Sequence, residues 1–214
     1  MPELVEVTAG DAPEVWASLG FAVQGTRCRI GSVDVALDPG VGKGIRRWAF
    51  AGGAATPPEV EGLPTEWVDG PGEATSLPHA NGVVAIDHIV VLTPDVDRTI
   101  VALADIGFEP RRERLTDTYG APMRQVFFRA GEAVLEVIGG QEATGDGGMR
   151  VFGLALTSAD LDATASYLGA RLHSAKDAVQ PGRRIATLDR GAGSSVALAF
   201  MSAPPATTKA EDSA

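Results

Sequence analysis

One histidine and one glutamate sit inside runs of branched apolar residues where neither type belongs by packing alone. His88 lies in Asp87-His88-Ile89-Val90-Val91-Leu92, and Glu136 lies in Ala133-Val134-Leu135-Glu136-Val137-Ile138. Each run reads as a short buried strand. Residues two apart in a strand share a face, so His88, Val90 and Leu92 point one way while Ile89 and Val91 point the other. By the same parity Val134, Glu136 and Ile138 share a face. A carboxylate between Leu135 and Val137 is costly to bury alone and needs a metal ion, an arginine or water. An ion pair with Arg124 or His88 would also satisfy it. An imidazole nitrogen and a carboxylate oxygen brought together are equally the donor types that hold a divalent cation.

Other side chains with chemical potential are fewer. Arg124 and Arg184 fall in two strand-like runs at corresponding places. Facing a cavity, each would bind a carboxylate or phosphate of a ligand through its guanidinium fork; facing out, each is a surface charge. Phe127 and Phe128 alternate, so one lines the cavity face and the other the opposite face. Cys28, the one cysteine, cannot form an internal disulfide. Arg27 and Arg29 beside it would lower its pKa, whereas burial would make it a small packed residue. His79 follows a proline in a turn context and reads as a loop histidine. No P-loop, dinucleotide fingerprint, nucleophile elbow or paired cysteine motif occurs.

The elements that must position these residues repeat along the chain. After the His88 strand, Pro94 ends the run and Asp95 or Asp97 caps a helix through Ile100, Leu103, Ala104 and Ile106, which Gly107 terminates. Strands follow at residues 109–115, 124–129 and 133–138. Near the N-terminus Leu4 to Thr8 reads as a strand, Asp11 with Pro13 as a helix start, and Arg27 to Ile30 with Val33 to Leu37 as a hairpin. Residues 44–50 read as one more strand. Residues 51–82 are rich in Gly, Pro and Ala and read as a connector, with Trp67 docked. Past a glycine-rich link the theme returns: a strand at 150–156, a helix at 161–168 opened by Ser158 and Asp160, and strands at 183–188 and 195–201. The expected division is an abbreviated N-terminal module at 1–50, the connector at 51–82, paired modules at 83–203 and a disordered tail at 204–214.

The segment that opens Asp87-His88-Ile89-Val90-Val91, continues Pro94-Asp95-Val96-Asp97 and Ile106-Gly107-Phe108, and closes Val134-Leu135-Glu136-Val137-Ile138 resembles the module of the vicinal oxygen chelate superfamily. That superfamily includes glyoxalases, bleomycin-resistance proteins and extradiol dioxygenases, and the resemblance covers residues 84–203. It implies an α+β fold of repeated βαβββ modules forming a cupped mixed sheet around a small organic molecule. It further implies a glyoxalase-like enzyme of lyase or isomerase type, with a divalent metal on His88 and Glu136 and with Glu136 shuttling a proton. Substrate would meet Arg124, Phe127 and Arg184, and chains would pair as homodimers. A metal-free binding or resistance protein of the same fold is the alternative. Family metal sites take further ligands from the partner module, where counting back from Asp160 puts Gly153 at the His88 position and Leu198 at that of Glu136. Neither ligates through its side chain, and His173 falls off the ligand strand.

Composition bounds the rest. The chain has 214 residues, 44% hydrophobic, with 28 acidic against 18 basic residues and a net charge of −10. That balance disfavours nucleic acid and anionic membranes as partners. With no signal-like start and no run of about 18 apolar residues, a cytoplasmic protein is expected.

Overall fold

The computed structural model describes residues 1–70, 77–117 and 120–205. The N-terminal half contains β1 (Glu3–Ala9), α1 (Pro13–Ser18), β2 (Val23–Gln24), β3 (Arg27–Ile30), β4 (Val33–Leu37), β5 (Ile45–Ala51), β6 (Glu59–Val60) and β7 (Leu63–Val68). The C-terminal half contains β8 (Val83–Leu92), α2 (Val96–Asp105), β9 (Pro110–Thr116), β10 (Met123–Ala130) and β11 (Ala133–Gly140). It continues with β12 (Arg150–Ser158), α3 (Leu161–Leu168), β13 (Lys176–Asp177), β14 (Arg184–Thr187) and β15 (Ala197–Ser202).

One pairing rule builds both halves. The first strand of each module runs parallel to its last, β8 with β11 and β12 with β15, and the remaining strands add as antiparallel hairpins. The two first strands then pair antiparallel, β8 with β12, giving an eight-stranded sheet of order β13-β14-β15-β12-β8-β11-β10-β9. This is the α+β arrangement of paired βαβββ modules expected from the sequence. The N-terminal half obeys the same rule: β1 lies parallel to β4, β5 parallel to β7, and β1 antiparallel to β5, in a seven-stranded sheet. Residues 45–68 therefore form a module without a helix. Its strands β6 and β7 lie inside the stretch that reads as a connector, because β6 is two residues long, Pro64 argues against a strand, and a polar residue, Thr65, holds the buried position between Leu63 and Trp67. Trp67 packs 5.7 Å from Phe50, centroid to centroid, and donates to the Pro57 carbonyl at 2.8 Å. The expected tail lies, from residue 206 on, outside the described residues.

Helix starts follow the capping rule in the C-terminal half. Asp95 accepts from the Arg98 N–H, and Asp160 accepts from the N–H groups of Asp162 and Ala163. Asp11 departs from expectation. Ala12 is the N-cap of α1, while the Asp11 carboxylate accepts from Trp16 Nε1 at 3.0 Å and, across the molecule, from Ser194 Oγ and the Ser195 N–H at 2.8 Å each. Burial opposes its charge, but these hydrogen bonds outweigh that and hold the carboxyl below its ordinary value. Asp11→Ala leaves those donors without an acceptor. It is expected to lose about 1–3 kcal/mol in urea unfolding at pH 7, a difference that shrinks below the ordinary value of 3.8 as pH falls through the lowered folded value.

The two sheets meet through one core. Leu4, Val7, Trp48 and Phe50 from the first and Ile89, Val91, Phe128, Leu135 and Val137 from the second belong to a single buried cluster. Rings of Trp48, Phe50, Phe108 and Phe128 follow one another at 4.9, 5.3 and 6.3 Å. Glu61, with φ of 46°, and Gly62, with φ of 80°, turn β6 into β7. The Glu61 carboxylate takes hydrogen bonds from Arg98 and Thr99 of α2, so strain at the turn is offset by a tie between the halves. The opposite face of each sheet is left outward. Cys28 is fully buried, and burial, with Asp34 adding, pushes its thiol up to about 12. Arg27 and Arg29 pair with Glu6 and Asp34 on the outward face of the first sheet instead of activating it.

Candidate functional site

The outward face of the eight-stranded sheet carries the polar cluster. Ile89 and Val91 are fully buried in the core, so strand parity turns His88, Val90 and Leu92 outward. Registers place Phe127 opposite Glu136, Gln125 opposite Ile138 and Arg114 opposite Gln125, which carries the same face across β11, β10 and β9. Asp87 should by alternation point inward. A register shift between Ala155 and Leu156 leaves Asp87 as an extra residue opposite β12, a bulge that lets two consecutive side chains serve one face.

The cluster is a continuous chain of contacts. His88 Nε2 lies 3.3 Å from Glu136 Oε2, and His88 Nδ1 lies 2.8 Å from Asp87 Oδ1. Asp87 Oδ2 is 2.6 Å from Arg183 Nη1 and accepts from Thr157 Oγ1 at 3.3 Å. Gln125 Nε2 donates to Glu136 Oε1 at 2.5 Å and itself accepts from Arg114 Nε, whose guanidinium lies 5.7 Å from the Phe127 ring centre. With Nδ1 against a carboxylate, a ring proton belongs on that nitrogen, and Nε2 is the nitrogen that faces Glu136. Burial pushes the Glu136 carboxyl above its ordinary value, only partly countered by His88 and Arg114. For Asp87 burial acts the same way, but hydrogen bonds from His88 and Arg183 win and hold it below.

The other expected residues lie differently. Phe127 faces the cluster, while Phe128 is buried in the core. Arg124 and Arg184 turn to the helix-bearing side. Arg124 pairs with Glu113 and with Asp97 of α2, each at 2.8 Å, and Arg184 with Asp162 of α3 at 2.9 Å. The two pairs are equivalent, each pinning a helix start to the third strand of its module. Arg183, one residue before Arg184, reaches the cluster through Asp87, as Arg114 does through Gln125. Asp87, Gln125 and Arg114 also escape sequence reading: a bulge is not legible in alternation, and long-range partners leave no local pattern.

A divalent cation at this pair would find two protein donors, His88 Nε2 and Glu136 Oε2. The register His88 to Val134 in one module matches Gly153 to Ala197 in the other, so the counterpart of Glu136 is Ala199, while Leu198 lies in the core. Gly153 and Ala199 bring no donor. A Cβ at Gly153 would sit 2.2 Å from the Ala197 carbonyl oxygen, so no longer side chain fits there. Among the described residues no group of three or more His, Cys, Asp or Glu is disposed to hold a metal. The donor set does not fit a resident divalent ion.

Two depressions flank this geometry. A cleft of 260 Å³ is lined by Arg111, Phe127, Phe128, Arg129, Glu132 and Val134, and it adjoins the pair, since Phe127 and Val134 are the register partners of Glu136 and His88. The larger one, 520 Å³, opens beside Glu61, Arg98 and Asp105, on the other side of the sheet from His88. Among the described residues no helix is long and apolar enough to cross a membrane.

No family model and no curated protein matches the chain. Solved structures similar to it include methylmalonyl-CoA epimerase from Mycobacterium tuberculosis, at 21% identity over 58% of this chain and 91% of that one, with a TM-score of 0.48. A Streptomyces coelicolor methylmalonyl-CoA epimerase in complex with 2-nitronate-propionyl-CoA is similar at 23% identity over 56% and 98%, TM-score 0.44. The hypothetical protein BH1468 from Bacillus halodurans C-125 is similar at 12% over 56% and 94%, TM-score 0.44. The chain's own strand order carries the architecture: its C-terminal sheet has the paired βαβββ design implied by the resemblance to the vicinal oxygen chelate superfamily.

Proposed function

We propose that the outward face around Glu136 and His88 is an acid–base site for a small organic molecule, in an isomerase-type reaction that moves a proton on and off the ligand. The contact of 3.3 Å between Glu136 Oε2 and His88 Nε2, beside the cleft that Phe127 and Val134 line, carries the reading. Glu136 is held in a partly dry place that raises its proton affinity, and His88, oriented by Asp87, lies against one of its oxygens. Glu136, as carboxylate, takes a proton from the ligand's carbon and returns it to the ligand, while His88 and Gln125 hold the carboxyl group in place through both transfers. The chain's own donors do not complete a metal site, so the step is assigned to these side chains alone.

A specific observation favours a second reading, a binding protein that sequesters its ligand. Both nitrogens of His88 and both oxygens of Glu136 already have partners within the protein. Deuterium exchange separates the two. The full chain is incubated in heavy water with small carbonyl compounds bearing acidic C–H bonds, thioesters and 2-oxo acids among them, and exchange is followed by proton NMR. Catalysed exchange that falls by about 100-fold or more in Glu136→Gln, with ligand affinity retained, supports the enzyme. Saturable binding without exchange supports the binder. Stoichiometric metal in the purified protein, lost in His88→Ala, would overturn the metal-free assignment.

A further inference from the structure

In a chain of net charge −10, three of the seven residues of β9 are arginines, Arg111, Arg112 and Arg114, and Arg129 stands on the neighbouring strand. Arg112 is the register partner of Phe127, and Arg129 that of Val134, so both project from the face that bears His88 and Glu136. Arg111 has no register partner: the pairing shifts between Phe127 and Phe128, and the bulge brings two successive arginines to one place. Arg111 and Arg129 line the 260 Å³ cleft. Among the described residues Arg111, Arg112 and Arg129 make no salt bridge, unlike Arg124 and Arg184 on the opposite face. The acidic residue in the cleft, Glu132, lies against Gly31 of the first sheet, its Oε2 3.5 Å from where a Gly31 Cβ would be.

We infer that this cleft binds an anionic group, a phosphate or a carboxylate, of the small molecule whose reactive part meets Glu136 and His88. The inference rests on the acid–base reading for the ligand's other end. Unpaired guanidinium groups repel one another, an oxyanion between them relieves that repulsion, and their planar forks suit both oxyanions. Screening over about 10 Å at 0.1 M salt confines the overall negative charge, so the local field of Arg111 and Arg129, with Arg112 on the same face, governs the cleft. The apolar walls of Phe127 and Val134 then lie between the anion and the acid–base pair, where the body of the ligand would rest.

The test is a titration of the 15N-labelled full chain with inorganic phosphate and, separately, succinate, at ionic strength held constant with sodium chloride, reading the arginine Nε–Hε signals. Saturable shifts at Arg111 and Arg129 with either anion are expected, and the anion that saturates names the source. The apparent Kd should rise at least tenfold in R111Q/R129Q, stay unchanged in Arg150→Gln on the same sheet, and fall in Glu132→Gln. That last gain keeps the test decisive if the double variant folds poorly. Linear, unsaturable shifts with both anions, or equal affinity in wild type and Glu132→Gln, overturn the inference. Anion binding without proton exchange would leave this site standing and remove the acid–base reading, and exchange of ligands without anion binding would do the reverse.

Discussion

Arg183→Met is expected to destabilise the protein by about 3 kcal/mol, because it strands the Asp87 carboxylate on the floor of the outward face. The pair is closed at 2.6 Å, with the side chains 8% and 18% exposed, so little solvent screens the charge left behind. Arg183 Nε also donates to the Ser202 carbonyl at 2.8 Å, and methionine restores neither bond. The pH dependence gives the sign. Asp87 is held below its ordinary value of 3.8, so its contribution is complete above that value and disappears as pH falls through the lowered one. Without Arg183 its hydrogen bond and charge no longer lower the Asp87 carboxyl, the folded pKa moves up, and acid destabilisation begins at higher pH. Glu136 behaves in the opposite sense: its folded pKa is raised above 4.5, so its contribution is largest below 4.5 and declines as pH rises through the raised value. Urea unfolding of wild type, Arg183→Met and Glu136→Gln between pH 3 and 7 resolves these slopes. A loss under about 1 kcal/mol in Arg183→Met would mean that His88 and Thr157 suffice to hold Asp87.

What the sequence made legible was set by local physics. Alternation in β8 and β11 was enough to turn His88 and Glu136 outward, and the aspartates before α2 and α3 announced both helices through their capping geometry. Alternation left Arg124 and Arg184 open between a cavity and the surface, because parity gives two faces without saying which neighbours lie on each. Asp97 and Asp162, the helix-start acids that take these arginines, sit 27 and 22 residues away in the chain. Leu198 stood for Ala199 because loops of different length displaced the count by one, and one residue exchanges faces. Asp11 carried a helix-start signature yet spends its oxygens on Ser194 and Ser195, a long-range competition that no local rule registers. The N-terminal pair of modules was half hidden for a further reason. β6 and β7 are held by pairing beside β5 and by the Glu61 tie to α2, and the buried positions of β7 include the polar Thr65, which hides its alternation from a hydrophobicity pattern.

Gly153→Val is expected to cost about 4 kcal/mol or more, enough to leave a domain of this size near unfolding at 37 °C. The new Cβ would lie 2.2 Å from the Ala197 carbonyl oxygen and 2.9 Å from the Ala197 Cβ, and neither belongs to a flexible side chain that could move away. Relief requires β12 and β15 to separate at their Gly153 to Ala197 register, beside the shift that already interrupts β12 between Val151 and Gly153. Gly145→Ala is the internal control, because nothing lies within 4 Å of its Cβ. It should change stability by less than about 0.5 kcal/mol. Chemical denaturation of both variants beside wild type measures the contrast. The same steric limit bears on function. Gly153 is the counterpart of His88, and a site closed to any Cβ cannot be made to supply the missing ligand by substitution. Gly153→His should therefore lose stability without gaining metal affinity, whereas a folded Gly153→His that binds a divalent cation stoichiometrically would show that the two modules can still share an ion.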